Sequence, residues 1–526
     1  MRSFPTRLMV YGAWLNMVLV VARSTSAQPV AESWKAFSPP GPYFPVTARQ
    51  LHAIESFRAG QPIIGTHFFY WYNRKSGAHF INDDDTDALT DHPANSTGYS
   101  FESAAWWRRE LLDVMAAEID FILPVYWGYP GDYDAWSFQG LPHLVTAWEA
   151  LVREGKHPPR VGLFYDTSTL RHNSYHWHVD LSTDAGKRWF YTSIRDYFSC
   201  IPPKMWAAID GRPIVVLYSP NFAARQDPAL FPFVRKQFKK DFGTDFYLVK
   251  HVGWEGRADK VCQWGGALGL KAHSVAALGP GYDHSAVPKR KPLVVDRQDG
   301  KFYEQQWQQF LSYDVGRRAK MVLVETWNEL HEGTDICVSK EYGRQYIRLT
   351  AKYAKMFHDG LVLPKTGPFS HAKEVQWQAD RSTAPGGLHV KNGGDGLVES
   401  HMIGGRKCWR TRANPYGNSR YFYFDIDDRF LFDEPGAKLT VTVEYLDQGF
   451  ATWRLEFDSI DVRASVREGA FKSADRACVC HHSGKWMRAK FVISNGRFAN
   501  RCNTADFRFA ITGGDLAVTR VTARLQ

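Results

Sequence analysis

Eight short apolar runs punctuate residues 62–329, each followed by polar or amphipathic sequence, and this rhythm restricts the fold more than any other feature of the chain. The runs are Pro62–Tyr72, Asp120–Gly128, Arg160–Thr167, Arg212–Ser219, Phe246–Gly253, Asp259–Gly265, Ala272–Asp283 and Lys320–Glu329. Strands that are apolar on both faces belong to a parallel sheet covered by helices. The intervening stretches Ser103–Ile119 and Leu144–Gly155 keep an apolar face at helical spacing, and the second ends on glycine. Eight strands over about 270 residues suit a (β/α)8 TIM barrel, in the α/β class. No glycine-rich phosphate loop follows the first run, which argues against an open doubly wound sheet.

The rhythm changes after Leu363. Residues 366–387 are polar and rich in Pro and Gly, the composition of a linker. Beyond them, runs such as Tyr421–Phe432 and Lys438–Asp447 alternate with period two and are separated by turn residues. That pattern predicts an all-β sandwich, jelly-roll-like, over residues 388–526. The expected organisation is therefore a segment 1–27, a barrel over 40–365, a linker and a C-terminal sandwich. Residues 1–27 carry two arginines, an apolar stretch Leu8–Ala22 and the small residues Thr25–Ala27. This is the layout of a secretory signal peptide cleaved near Ala27, so the mature chain is expected to be secreted or periplasmic, without stable membrane insertion. Four of the seven cysteines lie in the last 120 residues, which in an exported protein predicts one or two disulfides there.

The net charge of +10 raises the question of a nucleic-acid partner. Basic residues are spread along the chain, however, and the densest run, Pro288–Pro292, holds three of them, with no recognised binding motif. Nucleic acid is not an expected partner. The 19 Trp, 24 Tyr and 34 Phe are more telling, because aromatics that do not fill a core stack on the C–H faces of sugars.

Reacting groups in a parallel barrel gather where strands end. His67, Tyr70, Trp71, Tyr126, Trp127, Asp166, His251, Tyr282, Asp283 and Asn328 hold such positions, as does Glu325. They form a ring suited to a neutral polyhydroxyl ligand, with Tyr126 and Trp127 as stacking surfaces and Asp166 as a hydrogen-bonding group. After the eighth run, Val324–Ile336 reads VETWNELHEGTDI. A helical turn there places Glu329 and Glu332 on one face, so that their mutual repulsion raises one pKa and leaves the other low. Such a pair can give a proton and take one, as glycoside cleavage requires. His331, between them, is expected to point towards a substrate hydroxyl. No G-x-S-x-G elbow or H-E-x-x-H helix competes with this reading.

TWNELHEGTDI resembles the Asn-Glu-Trp-His-Glu-Gly-Thr signature of the endo-α-mannosidase-type glycoside hydrolases. More broadly, LPVYWG, GLFYDTSTL, LGPGYDHS and YFDIDDRFLF resemble an uncharacterised bacterial secreted family (DUF5010-like) with such a barrel and a β-rich C-terminal domain. The first resemblance implies that Glu332 is the acid protonating the leaving oxygen. It implies that Glu329 is the base that deprotonates the sugar 2-hydroxyl, through a 1,2-anhydro intermediate with retention. Trp327 and Leu330 stand where those enzymes have Phe and Trp, and both exchanges are expected to alter the sugar accommodated. The implied partner is a glycan or polysaccharide with α-linkages, and no cofactor is implied. The C-terminal domain is a candidate glycan binder through Tyr421–Phe424 and Trp453. The acidic stretch Ile81–Pro93 reads as a solvated loop of turn-forming Asp residues, with a structural calcium as the alternative. The competing function is an inactive barrel that binds carbohydrate or serves as a scaffold.

Overall fold

Each of the eight apolar runs contributes a strand: β1 Ile63–Phe68, β2 Phe121–Tyr126, β3 Leu163–Tyr165, β4 Arg212–Leu217, β5 Tyr247–His251, β6 Lys260–Cys262, β7 Ala276–Leu278 and β8 Met321–Val324. The computed structural model describes residues 38–381, 386–413, 420–461 and 469–526, and the segment read as a signal peptide lies outside them. The chain divides into two compact units, Met1–Leu363 and Pro364–Gln526.

In the first unit these strands run parallel in the order β6-β5-β4-β3-β2-β1-β8-β7, with three further short strands attached. The sheet is a nearly closed barrel. Its seam lies between β6 and β7, where Val275 N donates to Val261 O (3.0 Å) and Val261 N to Ser274 Oγ (2.7 Å). Long helices follow β1 to β4, β7 and β8, at Ala104–Ala116, Trp136–Arg153, Asp184–Cys200, Leu230–Phe242, Lys301–Leu311 and Gln345–His358. The stretch from β5 to β6 is too short for a helix. Its turn is held instead by the buried Lys250 ammonium, which donates to the carbonyls of Trp254 and Gly256 (2.7 and 2.9 Å). No helix among the described residues is long and apolar enough to cross a membrane.

The second unit consists of a six-stranded and a five-stranded antiparallel sheet. Alternate residues of both turn into one apolar core, Leu439, Val441 and Phe491 from the first meeting Phe424, Leu455 and Phe509 from the second. The expected linker contains a strand, Glu374–Gln378, which pairs with Ala517–Leu525 and buries Trp377. Its Val375 and Trp377 provide the period-two apolar pair, which the surrounding Pro and Gly residues obscure. Of the aromatics proposed as a glycan surface, Trp453, Phe422 and Phe424 lie in this core, Tyr423 is buried against Arg508, and Tyr421 is half-buried with the Arg508 guanidinium over its ring (3.8 Å).

The expected disulfides are absent. All seven cysteines are buried thiols, and those of the second unit are dispersed: Cys408 packs with Leu446 and Ala517, Cys478 and Cys480 enter the main core, and Cys502 Sγ accepts from Phe471 N. Alkylation of the protein denatured without reductant is thus expected to modify all seven on mass spectrometry, and any intact disulfide would contradict this. Trp453→Ala should cost about 3–5 kcal/mol in chemical denaturation, the usual loss for a buried large aromatic.

Candidate active site

Backbone and side-chain bonds past the end of β8 fold residues 325–336 into a tight, buried loop. The Glu325–Thr326 peptide is cis. Thr326 N donates to Thr334 O (2.8 Å), and its hydroxyl meets that of Thr334 (3.0 Å) and accepts from Glu329 N (2.8 Å). The Asn328 side chain accepts from Phe69 N (2.8 Å) and donates to Phe69 O (2.7 Å), tying this loop to the one after β1. Tyr72 OH reinforces the tie, donating to Asn328 O and accepting from Leu330 N. At the far end the buried Arg297 guanidinium donates to Gly333 O and to Asp335 and Asp91 (3.0, 2.9 and 2.7 Å). Every polar group of this turn that leaves water needs such a partner, which is why so many side chains converge on it.

The loop delivers three carboxylates to one cleft of about 1220 Å³. Glu329 is buried, and its Oε1 accepts from His331 N (3.2 Å) and faces His331 Nδ1 (2.9 Å). His331 Nε2 lies 2.9 Å from the His79 carbonyl, which can only accept, so Nε2 carries a proton. One further proton is then shared between Glu329 Oε1 and His331 Nδ1. Burial raises the Glu329 pKa against the pull of His331, and Glu329 raises that of His331 against burial. Glu329 Oε2 is buried with no hydrogen-bond partner among the described residues. Glu332 is more open, and its Oε1 accepts from Arg290 Nη1 (2.7 Å). Glu325 Oε2 accepts from the amides of Gly265 and Gly266 (2.8 and 2.6 Å). Gly266 must be glycine for this approach, since a Cβ would lie 2.5 Å from Leu278 N. Burial lifts the Glu325 pKa to about 7 against these amides and Lys271.

The sequence-predicted residues separate into four groups. Glu329, Glu332, His331, Trp71, Trp127, Asp166 and Tyr282 line the cleft. Asp166 is raised by burial and accepts from Trp127 Nε1 (2.5 Å) and Ser168 N (3.0 Å), so it orients the Trp127 ring. His67 and His251 line a smaller cavity inside the barrel, where burial lowers the His67 pKa to about 3. Tyr70, Tyr126 and Asn328 are fully buried and do not line the cleft. Tyr70 donates to Ser137 O, Tyr126 packs on Phe138 and Tyr197, and Asn328 is consumed by Phe69. Asp283 sits beside the cleft, its carboxylate accepting from Ser285 N. His331 turns to Glu329 rather than to open space. Trp327 and Leu330 are buried too, Trp327 donating to Glu110 (2.9 Å), so their exchange alters the packing behind the site and not its lining.

Arg290, His79, Tyr218 and Trp264 also line the cleft without having been predicted, and Glu325 lines it although no role was given to it. His79 stacks on Trp71 at 4.5 Å, and the basic run Pro288–Pro292 was the one signal for Arg290. The acidic stretch is only partly solvated: Asp83 and Asp85 line the cleft, whereas Asp91 is buried against Arg297. No group of three or more His, Cys, Asp or Glu among the described residues is arranged to hold a metal.

A family model described as a domain of unknown function, DUF5010, matches residues 50–370. No curated protein matches the chain. Among solved structures, the GH99 endo-α-mannosidase from Bacteroides thetaiotaomicron is 16% identical, with a TM-score of 0.43 over 56% of this chain and 98% of that one. A glycoside hydrolase-like protein is 17% identical, with a TM-score of 0.42 over 57% and 95%. An α-L-fucosynthase of Thermotoga maritima is 12% identical, with a TM-score of 0.29 over 78% of each chain.

The raised Glu325 pKa has a consequence for stability. The folded state holds this proton up to about pH 7 and the unfolded chain only to about 4.5, so stability from this group is present below 4.5 and is lost as pH rises towards 7. Glu325→Gln removes that dependence. The stability of the variant relative to wild type should therefore rise by up to about 3 kcal/mol between pH 4.5 and 8, at about 1.4 kcal/mol per pKa unit. Denaturant titrations at both pH values check the sign.

Proposed function

The chain belongs to the DUF5010 family, and on that footing we propose that it is a secreted glycoside hydrolase acting on an α-linked glycan with Glu329 and Glu332 as its acid–base pair. Membership assigns no activity, so the chemistry rests on the cleft. The nearly closed sheet is read as a (β/α)8 barrel whose fifth and sixth helices have been lost, and the second unit as a jelly-roll-like sandwich. In this reading the glutamates stand at the barrel's catalytic face.

The observation that carries the proposal is the orphan Glu329 Oε2. A buried carboxylate oxygen without a donor is costly unless a ligand supplies one, and a sugar hydroxyl is such a donor. The raised pKa of Glu329 makes it a stronger base, and His331 fixes its orientation and balances its charge. Trp71, Trp127 and Tyr282 give the apolar walls that pyranose faces stack on.

In this reading the two glutamates act in two steps. Glu329 takes the proton of the 2-hydroxyl as that oxygen attacks C1, while Glu332 gives its proton to the departing glycosidic oxygen. Water then opens the 1,2-anhydro sugar, Glu332 accepting the proton of the water and Glu329 returning its own to O2. Two inversions at C1 amount to retention.

A second reading has its own observation. The ion pair between Arg290 and Glu332 occupies the carboxylate that must supply a proton, as in a barrel that binds glycans without turning them over.

A panel of α-linked oligosaccharides assayed for new reducing ends separates the two. Glu329→Gln and Glu332→Gln should each lower release by about 10²–10⁴-fold, the usual contribution of a positioned acid or base. Equal release by wild type and both variants would refute the assignment. Binding by wild type without any release would favour the second reading.

A further inference from the structure

Arg290 lies on the hairpin formed by Tyr282–Asp283 and Val294–Val295. Its neighbours Lys289 and Lys291 face solvent, whereas the Arg290 side chain turns inward and is only 16% exposed. The hairpin is stapled in this shape by His284, whose Nε2 donates to Lys291 O (2.9 Å) and whose Nδ1 lies 3.0 Å from Tyr282 OH. The backbone bond from Asp283 N to Glu332 O (2.9 Å) ties the hairpin to the catalytic loop. The arginine is thus placed by the fold.

Its hydrogen bonding is incomplete. Nη1 donates to Glu332 Oε1, but Nε is buried with no partner among the described residues. A guanidinium offers five donors in a planar fork whose geometry matches a carboxylate or sulfate through two parallel bonds. The cleft therefore combines an orphan donor on Arg290 with the orphan acceptor on Glu329; a neutral hydroxyl can meet either with a single bond, but only an anion with two oxygens meets the guanidinium fork with two charge-assisted ones.

From this pairing we propose that the cleft selects glycans bearing an anionic group, the carboxylate of a uronic acid or a sulfate ester, and that this group binds Arg290 and draws it off Glu332. The proposal rests on the reading of Glu332 as the acid, and it removes the obstacle to that reading. A neutral glycan leaves Arg290 on Glu332 and the acid unavailable. An anionic one satisfies the guanidinium and leaves the Glu332 carboxyl free to face the departing oxygen. The general field of the cleft does not produce this preference, because Asp83, Asp85, Asp132 and Asp166 also line it. The anion is placed by Arg290 itself.

The test uses matched α-mannan pairs, in which the 2-hydroxyl lies trans to the glycosidic oxygen as the 1,2-anhydro step requires: α-mannan oxidised to the carboxylate at C6 with its methyl ester, and 6-O-sulfated α-mannan with α-mannan. Binding to the full chain is followed by calorimetry and by tryptophan fluorescence, since Trp71, Trp127 and Trp264 line the cleft. The expected result is that the charged member of at least one pair binds at least about tenfold more tightly than its twin, a difference of about 1.4 kcal/mol. Which pair shows it tells carboxylate from sulfate. Arg290→Gln should erase the difference, and Arg290→Lys, which keeps the charge without the fork, should retain only part of it. A shared melting temperature guards against misfolding of either variant.

Equal binding of both twins, a preference that survives Arg290→Gln, or no saturable binding of either anionic probe overturns the proposal. Glu329-dependent cleavage of neutral α-mannan without charge preference would leave the hydrolase reading standing and this one refuted. An Arg290-dependent preference with no sugar ever released would do the reverse.

Discussion

The double hydrogen bond between the Asn328 amide and the Phe69 backbone is the constraint on which the site depends. It continues the pairing of β1 and β8 beyond their last shared residues, Thr66 and Val324, where the chain has already left strand geometry. With Asn328 held there, Glu329 turns back over Thr326, and Glu332 reaches the far wall beside the Arg290 hairpin. The charged network of Arg297, Asp91 and Asp335 closes the other end of the loop with buried bonds, which are costly to break singly. The loop is thus clamped at both ends, and its three carboxylates are held by partners of their own.

Burial then sets the chemistry. Glu325 and Glu329 both lose water, but they are compensated differently. Glu325 has two backbone amides on one oxygen, whereas Glu329 has the amide and imidazole of His331 on one oxygen and, among the described residues, no donor on the other. The His331 proton towards His79 is fixed by a carbonyl, so the Glu329–His331 pair can exchange only the proton between them. A base arranged in this way can take a proton from substrate without a large rearrangement of charge, since its partner already carries the compensating positive end.

Much of the first unit was legible because parallel strands buried on both faces write uninterrupted apolar runs, and all eight runs contain strands. Glu329, Glu332, Trp71, Trp127 and Tyr282 were legible because they follow strand ends directly. Tyr70, Tyr126 and Asn328 follow strand ends equally closely, yet Tyr70 and Asn328 are consumed by Ser137 and Phe69, partners distant in sequence, and Tyr126 by core packing. Arg290 was hidden for the opposite reason. It lies in a basic run that reads as a solvated turn, and only the hairpin fold brings it 2.7 Å from a residue 42 positions later. Cysteine count misled because thiols pack as small apolar groups when their neighbours are too dispersed to pair. The strand Glu374–Gln378 was missed because a five-residue strand among Pro and Gly has little periodicity to show.

The central claim is that Glu329 removes the proton of the sugar's own 2-hydroxyl. It is tested most directly by comparing an aryl α-glycoside that the protein cleaves with its 2-deoxy analogue. Loss of the 2-oxygen makes a glycoside intrinsically easier to break, so a slower enzymatic rate cannot come from the substrate's chemistry. The account predicts turnover of the parent compound and none measurable for the 2-deoxy analogue. Cleavage of the analogue at the parent's rate or faster would contradict it.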